Sequence, residues 1–509
     1  MKYCIGLDIG TTGAKALLVD EDGNVTGSAT NEYPMSTPRP LWSEQNPEDW
    51  WTAARKSFRA VVEQSKIKAH DVAAIGLTGQ MHGLVLLDAA GKVLRPCIMW
   101  NDQRTAAECA EITAIVGEAR LLTLTANPVL PGFTAPKIVW VRKNEPEIFA
   151  KISHVLLPKD YIRYRLTGEF ATDVSDASGT SLLDVKHRAW SSEMLHALHI
   201  PGSWMPRVVE SIEVTGSVTP DASRETGLLS GTPVVGGAGD QAAGAVGNGI
   251  VMPGIVSVTV GTSGVVFAHT DQLAVEQHGR LHAFCHAVPG AWHVMGVTLA
   301  AGGSLRWFRD VLGEPERTIA GRKGVDPYEI LMETAAQSPA GSEGLFFLPY
   351  LSGERTPHPD PNARGAFIGL TVRHTRAHLI RSVLEGVAYS LRDCLELTKD
   401  MGLKTTQIRA SGGGARSPLW RQILSDVFDA ELVTVTSTEG APYGAALLAG
   451  VGATIYPTVA DACRTTIHLS TSTQPDSVRS RTYNRAYGVY RELYPALKES
   501  FKSIADSAS

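Results

Sequence analysis

The sequence predicts an α/β protein of two related lobes with a central cleft. Three observations predict it. Residues 4–20, CIGLDIGTTGAKALLVD, read as two strands joined by a glycine-bounded turn. Residues 256–267, VSVTVGTSGVVF, repeat that design in the second half. Residues 408–411, 419–428 and 431–435 then read as strand, helix and strand, a βαβ unit with glycines at its first turn.

In the first copy an apolar run over residues 5–9 makes a buried strand, residues 10–13 the turn and residues 16–19 the second strand. Gly10 and Gly13 suit a tight reversal and leave backbone N–H groups open to a close anion. Thr11 and Thr12 add hydroxyl donors. Asp8 is a carboxylate inside an apolar strand, just before a turn suited to phosphate. Two negative groups so close require a cation between them, and a hard oxygen ligand facing phosphate indicates Mg²⁺. These residues alone describe a surface hairpin, its Asp capping its own turn, equally well. The second copy shifts the reading. Gly261-Thr262-Ser263-Gly264 repeats Gly10-Thr11-Thr12-Gly13, and Thr259 stands where Asp8 stood. Two turns of one design can clamp a polyphosphate from opposite sides, with only the first supplying a metal carboxylate.

A chain of 509 residues has room for two domains. They are expected at residues 1–246 and 247–509. Hydrophobic content of 43% and charged content of 19% fit an ordinary soluble protein. A net charge of −5 carries no basic footprint, so nucleic acid is not an expected partner. The six cysteines are scattered without a C-x-x-C pair, the pattern of reduced thiols in a cytoplasmic protein. Asp8 interrupts the only early apolar run, so no signal peptide is expected. Residues 241–270 lack Asp, Glu, Lys and Arg and are long enough to span a bilayer. Glycines, Asn248 and Pro253 break that stretch, and its second half alternates like strands, so no membrane span is expected.

Along the first half, Asn46-Pro47-Glu48-Asp49 opens a helix with a capping side chain, an early Pro and first-turn acids. Trp51, Ala54, Phe58 and Val61 share its buried face. Residues 72–77 and 84–88 read as strands around the loop Thr78-Gly79-Gln80-Met81-His82-Gly83. Gln80 offers a donor and an acceptor, His82 either, and Met81 an apolar edge, a set able to recognise hydroxyls. A plain surface loop is the alternative. Trp100-Asn101-Asp102-Gln103-Arg104 ends a short strand. A flat apolar face beside planar hydrogen-bonding groups is sugar-site chemistry, and a strand end capped by polar residues is the other reading. Asp173 and Asp176 flank Ser175 and either bind hydroxyls or act as surface turn acids.

Residues 232–244, TPVVGGAGDQAAG, read as a strand, a glycine-cleared corner and a small-residue helix. Gly237, Gly239 and Ala242 match a loose dinucleotide fingerprint, but the acid expected about twenty residues on is missing. Asp240 is better read as a deliberate carboxylate at the junction of the halves, where a cleft would lie. In the second half His282, Phe284 and His286 alternate as a strand, and no acid completes a metal set with the two histidines. Residues 344–351 form a strand leading to the polar loop Ser352 to Pro357, expected near the cleft. Residues 378–393 form a core-packing helix. Gly412-Gly413-Gly414, at the turn of the βαβ unit, either lets a nucleotide's adenosine lie against bare backbone or only packs helix on sheet. Gly440 to Ala446 starts a small-residue helix expected beside that unit. No G-x-x-x-x-G-K-[ST] run exists, which excludes a P-loop NTPase.

The paired turns resemble those of the actin-like ATPase and sugar kinase superfamily, and the whole set is similar to the FGGY carbohydrate kinases over nearly the full chain. Residues 132–144, GFTAPKIVWVRKN, resemble that family's first signature, and residues 365–385, GAFIGLTVRHTRAHLIRSVLE, its second. LWSEQ, TGQMHG, WNDQR, LPKDY, FCHA and YLSGERTP resemble the xylulokinase branch.

The resemblance implies two actin-like (ribonuclease H-like) ATPase lobes around a cleft, with ATP and D-xylulose as small-molecule partners and Mg²⁺ as cofactor. It further implies a cytoplasmic homodimer. Asp240 is then the catalytic base, Met81 and His82 touch the ketopentose, and Gln80, Trp100 and Gln241 complete the sugar site. Asp8 orients Mg-ATP, and Gly10, Thr11, Thr12, Gly261, Thr262, Gly412 and Gly413 line the nucleotide. The alternatives are a kinase for another ketose or polyol, such as ribulose, and a non-kinase actin-like ATPase.

Overall fold

Two seven-stranded sheets, one drawn from each half of the chain, organise the molecule. The computed structural model describes residues 1–65, 67–437 and 439–508. The first sheet contains β1 (Tyr3–Ile9), β2 (Gly13–Asp20), β3 (Val25–Glu32), β4 (Val72–Gly79), β5 (Val214–Ser217), β6 (Pro233–Val235) and β7 (Ala238–Gly239). Its order is β5-β6-β4-β1-β2-β3, with β7 also pairing to β4. The second contains β8 (Ile255–Val260), β9 (Gly264–Thr270), β10 (His282–Cys285), β11 (Trp292–Thr298), β12 (Gln407–Ser411), β13 (Leu432–Val435) and β14 (Leu469–Thr473), in the order β10-β11-β9-β8-β12-β13-β14. The helices that position the site are α1 (Pro47–Ser65), α2 (Thr134–Asn144), α3 (Pro158–Thr167), α4 (Val174–Ala177), α5 (Asp240–Gly247), α6 (Arg376–Asp400), α7 (Pro418–Phe428) and α8 (Ala441–Gly452).

Strand alternation assigns the two faces of each sheet. In β1, Ile5, Leu7 and Ile9 join the core made with Trp50, Trp51, Phe58 and Val61 of α1. Cys4, Gly6 and Asp8 point the other way. In β8, Val256, Val258 and Val260 join the core made with α6 and α7. Ser257 and Thr259 point the other way, into the cleft. Asp8 and Thr259 therefore occupy matching places on the two sheets, each two residues before its turn.

Helix α8 departs from the sequence expectation. It packs against β1 and β4 of the first sheet and against α5, rather than beside the βαβ unit of its own half. The reason is backbone approach. A Cβ on Gly6 would fall 1.8 Å from the carbonyl oxygen of Pro442, and one on Gly76 would fall 1.9 Å from that of Ala445. Gly444 meets Ala243 with equal intimacy, so α5 and α8 touch through their backbones. Small residues on both partners let one helix lie flat on a sheet from the other half. The charge-free stretch that was long enough to span a bilayer divides into α5, β8 and β9. Among the described residues no helix is long and apolar enough to cross a membrane.

Candidate active site

Three parallel strands deliver the site to one edge. β1 and β4 run parallel with Asp8 beside Thr78 and Ile9 beside Gly79. β7 joins β4 in parallel with Gly239 beside Gly79. The carboxyl ends of adjacent parallel strands therefore put Asp8, Gln80 and Asp240 at neighbouring exits, where open α/β sheets bind ligands. Asp240 is also the first residue of α5. Asp8, Asp240 and Gln241 line a cavity of about 630 Å³ together with Thr259, Gly412 and Gly413 of the second half.

Both carboxylates are held above their usual range. Burial pushes Asp240 up to about 6, while the side chain and backbone N–H of Gln241 oppose the shift. Burial, reinforced by the like charge of Asp240, pushes Asp8 up to about 7 against the pull of Lys15. The Oδ1 atom of Asp8 is buried without a partner among the described residues. A half-buried carboxylate that repels its neighbour and leaves a buried oxygen free fits a hard divalent cation. Among the described residues no larger cluster of His, Cys, Asp or Glu could hold a metal, and that includes His282 and His286.

Each glycine turn closes on a hydrogen bond from its first N–H, the first to a carbonyl three residues on and the second to one two residues on. The N–H of Gly10 donates to the Gly13 carbonyl (3.1 Å), and that of Gly261 donates to Ser263 (3.0 Å). The second turn is braced from behind. The N–H of Gly302 donates to the Gly261 carbonyl (2.7 Å), and those of Ala301 and Gly303 donate to the Thr262 carbonyl. Gly261, Thr262, Gly413 and Gly414 line a second cavity of about 910 Å³, which also takes in Tyr328, Ser417 and Trp420. The two cavities meet at Gly413 and Arg416. Gly10, Thr11 and Thr12 line neither cavity.

The Gln80–His82 loop is buried rather than a plain surface loop. Gln80 donates from Nε2 to the Gln45 Oε1 (3.0 Å), while its own Oε1 has no partner among the described residues. Met81 packs between two glycines: a Cβ on Gly239 would fall 2.9 Å from its Sδ, and one on Gly179 would fall 3.2 Å from its Cε. His82 has a left-handed backbone, φ 69°. Its Nδ1 lies 2.7 Å from the Gly179 carbonyl, and its ring stacks on Phe133 at 4.6 Å. Burial drives the imidazole down to about 3, so the ring is neutral. A ring nitrogen facing a carbonyl carries the proton, which leaves Nε2 as an acceptor for a hydroxyl. Phe284 and His282 extend the aromatic wall around it.

Trp100 is 40% exposed and its indole N–H donates to the Thr11 hydroxyl (3.1 Å), so its polar edge is committed to the first turn. Its neighbours follow the capping alternative. Asp102 accepts from the Ser43 N–H (2.6 Å) and forms a forked pair with Arg104, which lies 3.6 Å over the ring of Trp42. The surface-turn reading of Asp173 and Asp176 is corrected. Both are fully buried beside the Lys159 ammonium, at 2.9 and 3.2 Å. Asp173 does accept hydroxyls, but they belong to Ser175 and Ser211.

Three further residues shape the site. Gln45 donates to the Thr11 carbonyl (2.7 Å) while accepting from Gln80 and Trp50, so it ties the first turn to the Gln80–His82 loop. Lys137 of α2 donates to the carbonyls of His82 and Gly132, with burial bringing its ammonium down to about 7. Arg355, in the polar loop after residue 351, makes no side-chain hydrogen bond among the described residues, and its charge helps depress both His82 and His282. Lys137 was signalled as a lysine amid the apolar stretch of residues 133–141 and by its place in the signature-like run 132–144. Gln45 closes the LWSEQ run, but nothing in that run shows its partners.

Residues 3–247 match the N-terminal domain of the FGGY family of carbohydrate kinases, and residues 256–453 match its C-terminal domain. The chain is 43% identical to a xylulose kinase of Escherichia coli, over 97% of this chain and 99% of that protein. It is 38% identical to a xylulose kinase of Bacillus subtilis, over 98% of each. A crystal structure of a xylulose kinase from Brucella ovis superposes with a TM-score of 0.89 at 41% identity, covering 97% of this chain and 99% of that one.

Proposed function

The chain belongs to the FGGY family of carbohydrate kinases, and from that premise we propose that it transfers the γ-phosphoryl group of ATP to O5 of D-xylulose. The observation that carries the reading is the carboxylate of Asp240. It opens a helix at the meeting of the two sheets, faces the shared cavity, and follows a glycine that packs against Met81.

As O5 attacks the γ-phosphorus in line, Asp240 accepts the hydroxyl proton, the P–O bond to the β-phosphate breaks and ADP leaves. A carboxyl near 6 suits a base working at neutral pH, being ionised yet basic enough to take a proton. Met81 supplies an apolar edge to the sugar, and neutral His82 and the free oxygen of Gln80 accept its hydroxyls. The nucleoside lies in the larger cavity against Gly413 and Gly414, with the phosphates running past the Gly261–Thr262 turn toward Asp8 and the Gly10–Thr12 turn. Asp8 is the residue fit to hold Mg²⁺, which when bound neutralises phosphate charge. Residues 1–246 act as the sugar lobe and residues 247–509 as the nucleotide lobe. Their closure excludes water, the competing acceptor. The six buried free cysteines support a reducing, cytoplasmic setting.

ADP formation from ATP measured against D-xylulose, D-ribulose, L-xylulose and glycerol tests the reading. The highest kcat/KM is expected with D-xylulose. Preference for another acceptor would reassign the sugar, and ADP release indifferent to all four would contradict a kinase.

A further inference from the structure

We propose that the buried ionic cluster beneath the β7–α5 corner sets the position of Asp240, and that Ser175 is the positioning residue through which it acts. The inference rests on Asp240 being the base.

The cluster has no counterpart in the transfer step. Lys159, Asp160 and Arg163 of α3 meet Asp173 and Asp176, and all five side chains have 0% exposure. Burying charges is costly unless geometry and hydrogen bonds offset it, and hydrophobic replacements commonly do as well or better for stability. A cluster placed here therefore calls for a role in holding one conformation.

Its outward bonds converge on residues 235–239, directly or through Ser175 and Ser211, with one further bond from Arg163 to the Thr215 hydroxyl (2.7 Å). Lys159 holds Asp173 Oδ1 (2.9 Å) and Asp160 Oδ1 (2.6 Å). Asp173 Oδ2 accepts from the Ser175 hydroxyl (2.5 Å) and backbone N–H (2.8 Å). The Ser175 oxygen in turn accepts from the N–H of Gly239 (3.1 Å), the residue before Asp240. Arg163 donates to the Val235 carbonyl (2.6 Å) and to that of Gly236. The N–H of Gly237 donates to the Ser211 carbonyl (2.8 Å), and the Ser211 hydroxyl donates to Asp173.

This corner needs such ties. Gly237 has φ +66°, and a Cβ there would fall 1.9 Å from the Leu77 carbonyl. Glycines give the chain room beside β4 but little stiffness of their own. Hydrogen bonds at residues 235, 236, 237 and 239 replace that stiffness. They fix the first turn of α5 relative to Met81 and the cavity. A base displaced by about 1 Å from its proton loses on the order of 10²-fold in rate.

The test is a double-mutant cycle on the full chain with Ser175→Ala and Asp240→Asn, read by kcat, both KM values and thermal unfolding. Ser175→Ala is expected to lower kcat by about 10- to 100-fold with both KM values within about twofold and the folded fraction unchanged. Ser175→Thr, which keeps the hydroxyl, is expected to restore most of the loss. In the Asp240→Asn background, Ser175→Ala is expected to cost nothing more. An unchanged kcat in Ser175→Ala beside an inactive Asp240→Asn would overturn this proposal alone. So would the same fold loss in both backgrounds, or a kcat loss matched by unfolding. Full turnover in Asp240→Asn would overturn both this proposal and the base assignment.

Discussion

The Nζ of Lys137 donates to the carbonyl oxygen of His82 at 2.9 Å, so a helix of the first signature motif holds the Gln80–His82 loop from beneath. The same ammonium reaches the Gly132 carbonyl at 2.7 Å. Lys137→Met leaves both carbonyls without that donor and frees a loop already strained into positive φ at His82. Each lost partner costs about 1–3 kcal/mol. Steady-state kinetics are expected to show KM for D-xylulose raised about tenfold, or about 1.4 kcal/mol, with KM for ATP little changed. A change confined to ATP would contradict the placement.

The pH profile follows from Asp240. Only the carboxylate accepts a proton, so kcat/KM is expected to fall about tenfold per unit as pH drops through about 6. His82, near 3, contributes no limb of its own in that range. Measured at saturating MgATP, an acid limb centred near the ordinary carboxylate value would show that the cleft does not raise Asp240.

Asp8 makes a stability prediction with a definite sign. Its carboxyl is raised from 3.8 to about 7, so the unfolded chain ionises first and stability falls as pH climbs through that window. Asp8→Asn removes the penalty. In the nucleotide-free protein the variant is expected to gain ~1–3 kcal/mol at pH 8, and less at pH 5. Its turnover is expected to collapse together with its response to Mg²⁺. Thermal unfolding across pH and kinetics across Mg²⁺ concentration check the two halves separately.

Adjacent glycines separate backbone strain from ligand approach. Gly412 has φ +83°, and a Cβ there would fall 2.6 Å from the Val260 carbonyl, whereas a Cβ on Gly413 meets nothing within 4 Å. Gly412→Ala is expected to destabilise the fold by ~1–3 kcal/mol. Gly413→Ala leaves unfolding unchanged but intrudes on the place where the two cavities join, so KM for ATP is expected to rise.

The sequence made the architecture readable where pattern and chemistry coincide. Two Gly-Thr turns at matching strand ends, a lone acid in an apolar strand and a carboxylate on a glycine corner all have local signatures. The path of α8 was not readable from its own half, because its partners Gly6 and Gly76 lie hundreds of residues away and act by having no side chain. The cluster around Lys159 was hidden for a related reason. Asp173 and Asp176 look like turn acids until topology brings α3 over them. Gln45 and Lys137 work through carbonyls, which leave no trace in composition. Trp100 keeps its flat face exposed while its polar edge is used by Thr11, a pairing that nothing in its own segment shows.

The most direct test of the central claim is turnover by Asp240→Asn, with D-xylulose and ATP binding followed by calorimetry. The account predicts both ligands bound as in the parent protein and kcat lowered by about 10²- to 10⁴-fold. Turnover near that of the parent protein would contradict it.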